Sequence, residues 1–241
     1  MASGRRKLWL WIGGIAAVLV VALGFGVWYF VFRDDAPDAV NIDTATKSLD
    51  TRPEGGDGSL DGTWKVDPSI GDFSDFSSSF AGYRVQEELA GIGAKTAVGR
   101  TPDVDGSLEL NGSTVESTDI TVDMTTLKSD EANRDGAIRD QAIETAKFPT
   151  ATFELTEPID LGSAPKEGQE VSADAKGRLT LHGVTRDVTI PLKAKLEGDT
   201  IAVTGSLDIR FADYQIEKPQ SFRVLSIADN GQMELQLFFT K

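Results

Sequence analysis

The sequence predicts an all-β domain, an antiparallel barrel or a two-sheet sandwich of about eight strands, with one short helix and an apolar N-terminal segment. Apolar and polar residues alternate through most of the chain after Thr63, turn-forming residues separate the alternating runs, and one segment rich in Ala and Glu interrupts them. Such alternation is typical of strands with one buried face, whereas parallel strands are covered on both faces.

The first element is an apolar run without a charged residue, residues 8–32. As a helix its 25 residues would span the hydrocarbon layer of roughly 30 Å. Tryptophan and tyrosine lie near its ends, where the membrane interface favours them. Basic residues precede the run and Asp34 and Asp35 follow its flanking Arg33, so the positive-inside rule places the N-terminus in the cytoplasm. We predict a cytoplasmic tip and transmembrane signal anchor over residues 1–32, single-pass in the plasma membrane, with an extracytoplasmic C-terminal domain.

A cleaved signal peptide is the competing interpretation, because it has the same order of basic, apolar and polar segments. Its apolar core normally has about 7 to 15 residues and ends in a small-residue cleavage site. Residues 8–32 show neither feature. The chain contains no cysteine, so lipid attachment through a thiol is excluded and the exported domain must be stabilised without disulfides.

An acidic, Pro- and Gly-punctuated segment follows the apolar run and predicts a disordered linker over residues 33–62. Arg5, Arg6 and Lys7 give residues 1–32 a charge of +3, so the remainder of a chain with net charge −14 carries −17. Such a domain would be repelled by nucleic-acid phosphates and by anionic lipid headgroups. We therefore expect no nucleic-acid partner.

The domain predicted over residues 63–241 carries the alternating pattern, which is clearest in segment 200–211. One face of that segment holds Ile201, Val203, Leu207, Ile209 and Phe211. Turn-like breaks such as NGS at 111–113 and EGD at 197–199 separate the runs. The exception is residues 129–148, whose composition and following Pro149 predict one helix, interrupted near Gly136.

The only histidine, His182, lies between two alternating runs. By strand parity its side chain points away from the core or lies in a turn, and no nucleophile elbow accompanies it. One histidine without cysteines is also a poor basis for a zinc site. We expect no catalytic or metal-binding residue here, and a turn centred on Val184 and Thr185 that makes Leu181 and Val188 partners.

Three other patterns are weak as functional motifs. AGIGAKT at 90–96 lacks the glycine that directly precedes the lysine of a phosphate-binding loop. Asp103 and Asp105 have no terminal glutamate in calcium-loop register. The Arg and Asp residues of 130–140 are spaced to form ion pairs along a helix surface.

The apolar face that points into the barrel is compatible with two states of the domain, a filled barrel and a hollow one. An eight-stranded barrel either fills with side chains or holds one small ligand. Gly205, Ala194, Ala175 and Gly177 interrupt the bulky residues on that face and could leave room for a long thin ligand. Small residues also occur in fully packed barrels, so periodicity alone does not decide between them.

Six segments occur in a specific order: WKVDP at 64–68, GYRV at 82–85, VGRTPDVDGSLEL at 98–110, VDMTTLKSDEANRD at 122–135, FPTATFEL at 148–155 and GRLTLHGVTRDVTIPL at 177–192. In this order and spacing the chain from about Thr63 to Lys241 resembles the YceI-like domain family of lipocalin-like barrels. The arrangement is similar to that of membrane-anchored actinobacterial members.

The resemblance implies a lipocalin-like barrel with an elongated apolar cavity, which in some members holds a polyisoprenoid or isoprenoid-quinone chain. We therefore predict a membrane-anchored extracytoplasmic lipid-binding protein, not an enzyme, with the membrane and an isoprenoid-type lipid as partners and no cofactor besides bound lipid. The alternatives are a structural or interaction domain with a packed core, and an enzyme with carboxylates clustered around His182 or Arg134. Strand parity selects the residues expected to face the ligand: Tyr83, Val85, Ile120, Val122, Phe153, Leu179, Leu181, Val188, Ile190, Val203, Leu207, Leu235 and Leu237.

Overall fold

The computed structural model describes residues 19–26, 28–29, 33–47, 49, 59–221 and 223–241. Its strands are β1 (Gly62–Val66), β2 (Phe80–Leu89), β3 (Gly93–Thr101), β4 (Val104–Asn111), β5 (Thr114–Asp123), β6 (Lys128–Ser129), β7 (Thr150–Leu155), β8 (Ile159–Asp160), β9 (Glu170–Leu181), β10 (Val184–Glu197), β11 (Thr200–Arg210), β12 (Val224–Ile227) and β13 (Asn230–Thr240). Its helices are α1 (19–26), α2 (Ile42–Thr46) and α3 (Ala132–Ala137), with a π-helical turn at Ile138–Ala142 and 3₁₀ turns at Phe73–Asp75, Met124–Thr126 and Phe211–Tyr214.

Eight antiparallel strands close a barrel, which is one of the two architectures that the alternating pattern left open and the one that the resemblance implies. They are joined in the order β1, β4, β5, β7, β9, β10, β11 and β13, and β13 pairs back to β1. Strand β13 also pairs with β2, whose hairpin with β3 extends the wall beyond the closed ring. We call the end with the turns at Gly91 and Gly183 the upper end, and the end with the turns at Gly112 and Gly198 the lower end.

The turn between β9 and β10 differs from the sequence prediction. Its two central residues are His182 and Gly183, both with positive φ (52° and 72°), as in the primed turns that match the twist of a hairpin. Leu181 therefore pairs with Val184, and Val188 pairs with Gly177. The predicted turn at Val184 and the pairing of Leu181 with Val188 are wrong because Gly183 supplies the left-handed position that the turn needs.

The predicted helix in 129–148 forms only over residues 132–142, because Ser129 belongs to β6 and residues 143–148 are not helical. Helix α3 is capped by Glu131, which accepts a hydrogen bond from the amide of Asn133. It changes into the π-helical turn Ile138–Ala142 directly after Ala137, next to the helix-weakening Gly136.

Residues 33–47 contradict the predicted disordered linker in this part of 33–62. Asn41 caps α2 by accepting from the amide of Asp43 at 2.8 Å. Ile42 and Ala45 are buried against the outer face of the barrel, in one cluster with Phe238. Ile42 and Ala45 are three residues apart, so they lie on one face of the short helix and both pack against the barrel. The acidic composition of residues 33–62 as a whole gives no sign of this contact.

The predicted membrane anchor lies largely outside the described residues, which include only 19–26 and 28–29 of its apolar run. These residues are helical and expose large apolar side chains: Leu19, Val20, Val21, Leu23, Phe25, Trp28 and Tyr29. No helix within the described ranges has both the length and the apolar character needed to cross a bilayer.

Candidate functional site: the barrel lumen

The lower part of the barrel encloses an almost entirely apolar chamber of about 170 Å³. Alternate residues of β4, β5, β9, β10, β11 and β13 point into it because a strand directs every second side chain to the same face. Its wall includes Leu108, Leu110, Ile120, Ile190, Val203 and Leu237. The wall exposes almost only apolar surface to the chamber and so favours a hydrocarbon chain over a charged group.

A second chamber of about 420 Å³ lies at the upper end. It is bounded by β2, by α3 and its π-helical turn, and by residues of the segment that follows β11, including Phe211, Ile216 and Pro219. The two chambers share five lining residues: Ala81, Val122, Ala151, Leu179 and Met233. They therefore adjoin end to end along the barrel, with these residues between them.

The structure places most of the residues that strand parity selected on the lumen wall. Tyr83, Val85, Val122, Leu179 and Leu181 line the upper chamber, and Ile120, Phe153, Ile190, Val203, Leu235 and Leu237 line the lower one. Val188 and Leu207 lie outside both linings and pack against the cluster around Tyr214. The reason is the 3₁₀ turn Phe211–Tyr214, which buries Tyr214 against these strands. Sequence alternation contains no signal for this turn.

The small residues of the inward face leave less space than the sequence suggested. A β-carbon added at Gly177 would lie 2.4 Å from Cζ of Phe153, and one added at Gly205 would lie 2.5 Å from Cδ2 of Leu192. Both gaps are thus occupied by a larger neighbour. The lumen consists of the space that remains between these filled positions.

These two glycines should respond differently to substitution by alanine. For Gly205→Ala we expect little loss of stability, because the nearest atom is the end of a flexible leucine side chain. For Gly177→Ala we expect a loss of about 1–3 kcal/mol from overpacking, since the backbone oxygen of Glu154 also lies 2.5 Å from the new carbon. Urea denaturation measures both, and equal losses would contradict this difference.

The upper chamber also contains a buried ion pair. Glu87 points inward from β2 and accepts a hydrogen bond from Nη2 of Arg134 at 2.6 Å. Arg134 also pairs with Asp130, as helix spacing predicted. Burial opposes the charge of Arg134, but Glu87 and Asp130 outweigh that effect and raise its pKa. Its inward contact with Glu87 was missed because the two residues are distant in sequence.

Tyr83 is a further polar residue of the upper chamber. Its hydroxyl is buried and has no hydrogen-bond partner among the described residues. Burial is the main cause that raises its pKa, so the hydroxyl remains a donor at neutral pH. Among the described residues this donor is unused, and it lies against Gly99, where an added β-carbon would be 2.7 Å from the hydroxyl oxygen.

His182 lies in the turn, as one reading of its parity predicted, but it is buried. Its Nδ1 lies 3.0 Å from the carbonyl oxygen of Tyr214, and its Nε2 lies 3.2 Å from Oε2 of Glu144. Phe148 packs edge-on against the ring. Lys147 and then His182 lower the pKa of Glu144 through hydrogen bonds. These contacts tie the turn to two neighbouring segments.

Metal-ligand geometry is absent from the part of the chain that the structure describes, where no three His, Asp or Glu residues are grouped to hold an ion. Glu144 is the one carboxylate for which a contact with His182 is found in that part.

Eight antiparallel strands around an elongated apolar lumen define a hollow β-barrel of the lipocalin-like class. The family model described as "YceI-like domain" matches residues 64–239 of this chain. The chain belongs to the YceI-like domain family.

Relatives and solved structures agree with this assignment. "Protein YceI" of Salmonella arizonae is 32% identical over 124 residues, which cover 50% of this chain and 59% of that protein. The chain therefore spans about three fifths of the length of this relative. A polyisoprenoid-binding domain from Saccharophagus degradans, described as implicated in plant cell wall breakdown, has a TM-score of 0.57 at 20% identity, over 75% of this chain and 98% of that one. Burkholderia cenocepacia BcnA has a TM-score of 0.52 at 17% identity, over 72% and 98%. These structures share the fold.

Proposed function

We propose that this protein holds the chain of a polyisoprenoid or an isoprenoid quinone in its barrel lumen, without making or breaking covalent bonds. The observation that carries the proposal is the pair of adjoining chambers, an apolar lower one and a larger upper one. The description of the Saccharophagus degradans domain as polyisoprenoid-binding supports the same ligand class.

Burial of hydrocarbon supplies the affinity in this proposal. Each buried methylene contributes about 0.8 kcal/mol, so a few isoprene units outweigh the usual costs of ordering a flexible ligand. The lower chamber, with its nearly wholly apolar wall, suits the chain rather than a headgroup. A ligand with a polar end would therefore place its chain below and its headgroup in the upper chamber.

The headgroup would meet Tyr83 and the Glu87–Arg134 pair. A quinone carbonyl or a hydroxyl oxygen is an acceptor for the unused tyrosine donor. The pair is internally neutralised, so it offers orientation without demanding a charged ligand. This arrangement favours a neutral polar end.

Replacing Tyr83 by phenylalanine separates stability from binding. We expect Tyr83→Phe to leave the free energy of unfolding of the lipid-free protein unchanged or slightly higher, because a buried hydroxyl without a partner is removed. We expect affinity for an isoprenoid quinone to fall about 5- to 10-fold, the value of one hydrogen bond of roughly 1–1.5 kcal/mol. Calorimetric denaturation and ligand titration measure the two effects. An unchanged affinity would contradict the assigned contact.

We further propose that residues 1–32 anchor the barrel in the plasma membrane from its extracytoplasmic side. Support comes from the uncharged run 8–32, its basic N-terminal flank and the exposed apolar side chains of residues 19–26 and 28–29. Retention in the membrane fraction after alkaline carbonate washing, with the barrel digested by protease added to spheroplasts, is the expected result. A protein released by carbonate, or protected from protease, would contradict it.

The test of ligand binding is mass spectrometry of organic extracts from protein purified in mild detergent. We expect isoprenoid lipids in stoichiometric amounts. The matched control is the Ala151→Phe variant, in which a ring obstructs the lumen, purified in parallel from the same type of cells. Lipid recovered equally from both would show carry-over in detergent, and lipid absent from the unaltered chain would refute the proposal.

A further inference from the structure

We infer that residues 33–47 form a fixed strap along the outer wall of the barrel, which holds the upper end of the lumen against the bilayer that contains the anchor. The upper rim therefore contacts a lipid surface, and a lipid molecule would pass between the bilayer and the lumen without crossing water. This inference rests on the proposed membrane anchoring and extends it.

Two arginines on the outer wall hold the strap through its backbone. Nη1 of Arg84 donates to the carbonyl oxygen of Pro37 at 2.6 Å, and Nη2 of Arg100 donates to that of Asp38 at 2.7 Å. Arg100 also bonds the fully buried carboxylate of Glu234, at 2.8 Å from Nε. Without the strap each guanidinium would lose one of its acceptors, and buried donors are normally satisfied.

Apolar contacts cover a second part of the wall. Ala202 and Phe238 belong to strands of the barrel and are completely buried, although they point away from the lumen. Ile42, Ala45 and Leu49 cover them, together with Ile70. A strand position that faces solvent rarely carries phenylalanine, so the presence of Phe238 on the outer face indicates that other residues cover this part of the wall in the folded protein.

The contacts follow one direction along the barrel. Asp34 accepts a hydrogen bond from Oγ1 of Thr96 at 2.6 Å, near the upper tip of the β2–β3 hairpin. Pro37 and Asp38 follow at Arg84 and Arg100, further down the same strands. Helix α2 lies lower again, beside Phe238 near the end of β13. The strap therefore descends from the upper end, where the predicted anchor joins it.

Little slack separates the anchor from the strap. The amide of Arg33 donates to the carbonyl oxygen of Tyr29 at 3.1 Å, and Nζ of Lys95 contacts the carbonyl oxygen of Arg33. Tyr29 ends the described part of the apolar run. The aromatic end of the anchor is thus bonded to the residue that the β2–β3 hairpin holds.

The rim at this end carries an exposed apolar side chain beside the exposed charged residues Glu88 and Arg223. Leu225 of β12 is 65% exposed, and beyond residue 33 it is the single large apolar side chain so exposed in the described chain. Its strand pairs with β2 at Leu89, and Ile92 follows in the adjoining turn. Leu89 and Ile92 also line the upper chamber. Apolar side chains at a rim that faces a bilayer gain burial in the interface.

The test uses the full chain reconstituted in phosphatidylcholine vesicles, and the absence of native cysteines allows single-site labelling. A fluorophore is attached to Leu225→Cys, to Ile92→Cys and, as the matched lower-end control, to exposed Ser163→Cys. Vesicles contain phosphatidylcholine brominated on its acyl chains as quencher. We expect severalfold stronger quenching at positions 225 and 92 than at 163. Equal quenching at all three positions, or stronger quenching at 163, would overturn the inference.

A second pair of variants tests the strap itself. About 20 Gly and Ser residues inserted between Arg33 and Asp34 add a tether of roughly 25 Å, and should abolish the difference between positions 225 and 163. The same insertion between Gly55 and Gly56, after the strap, should preserve that difference. If both insertions behave alike, the strap does not set the orientation.

Extraction of bound lipid from the same samples keeps the two proposals separate. Bound isoprenoid without preferential quenching at the upper rim would refute the orientation and leave lipid binding intact. Preferential quenching without bound lipid would support the orientation and refute the proposed ligand.

Discussion

Obstructing the junction of the two chambers should abolish tight binding of an isoprenoid chain. Ala151 lines both chambers and pairs with Val122 across β5 and β7. In Ala151→Phe a ring would project into the junction of the two chambers. Loss of contact with only four methylene groups costs about 3 kcal/mol. We therefore expect a decrease in affinity of about a hundredfold or more.

The matched control is Thr121→Phe, which adds a ring to an exposed position one residue before Val122 on β5. It should bind lipid like the unaltered chain. Binding is measured by fluorescence titration with a polyprenol, and melting temperature shows whether each variant folds. A folded Ala151→Phe variant with unchanged affinity would mean that the ligand does not occupy the lumen.

Removing the carboxylate of Glu234 should cause the largest loss of stability. Its Oε1 lies 2.7 Å from Nη2 of Arg100, whose guanidinium lies 4.4 Å and 4.3 Å from the ring centres of Phe76 and Phe80. Burial lowers the pKa of Arg100 and Glu234 opposes that effect. In Glu234→Ala a buried cation would lose its counter-charge, which typically costs about 3–5 kcal/mol. Urea denaturation at neutral pH measures the change.

An exposed ion pair provides the comparison. Arg178 and Glu154 are 2.7 Å apart on the outer face of neighbouring strands. Glu154→Ala should cost less than about 1 kcal/mol because solvent screens that pair. If the two variants lost equal stability, the buried pair would not hold the wall as the structure indicates. The double variant Glu234→Leu with Arg100→Met should lose less than Glu234→Ala, since no charge remains buried.

The sequence predicted those features of the fold that depend on local pattern. Alternation fixes which side chains of a strand share a face, so Ile190 and Val203 were placed on the lumen wall from parity alone. It also predicted a helix weakened near Gly136, and the regular α-helix ends at Ala137. Gly183 is the residue type that favours a tight turn, but the prediction centred the turn on Val184 and Thr185. The turn is instead formed by His182 and Gly183.

The features that could not be predicted depend on contacts between distant segments. Arg134 is 47 positions from Glu87, and Arg100 is 134 positions from Glu234, so no spacing rule connects them. The strap has the acidic composition that is typical of disordered segments. Its few apolar residues are ordered only because they pack against the barrel wall, which is distant in sequence. Val188 and Leu207 have the correct parity, but the 3₁₀ turn at Tyr214 covers them.

Strand β13 has a consequence for the order in which the molecule folds. These 11 residues form the last strand of the barrel in sequence order, and they pair with β1, β2 and β11, so they connect the earliest strands of the barrel to the latest ones. Most of the pairings that close the ring are therefore distant in sequence, a topology associated with slow folding. A chain that lacks its final strand cannot close the ring. During synthesis the barrel must remain incomplete until β13 emerges.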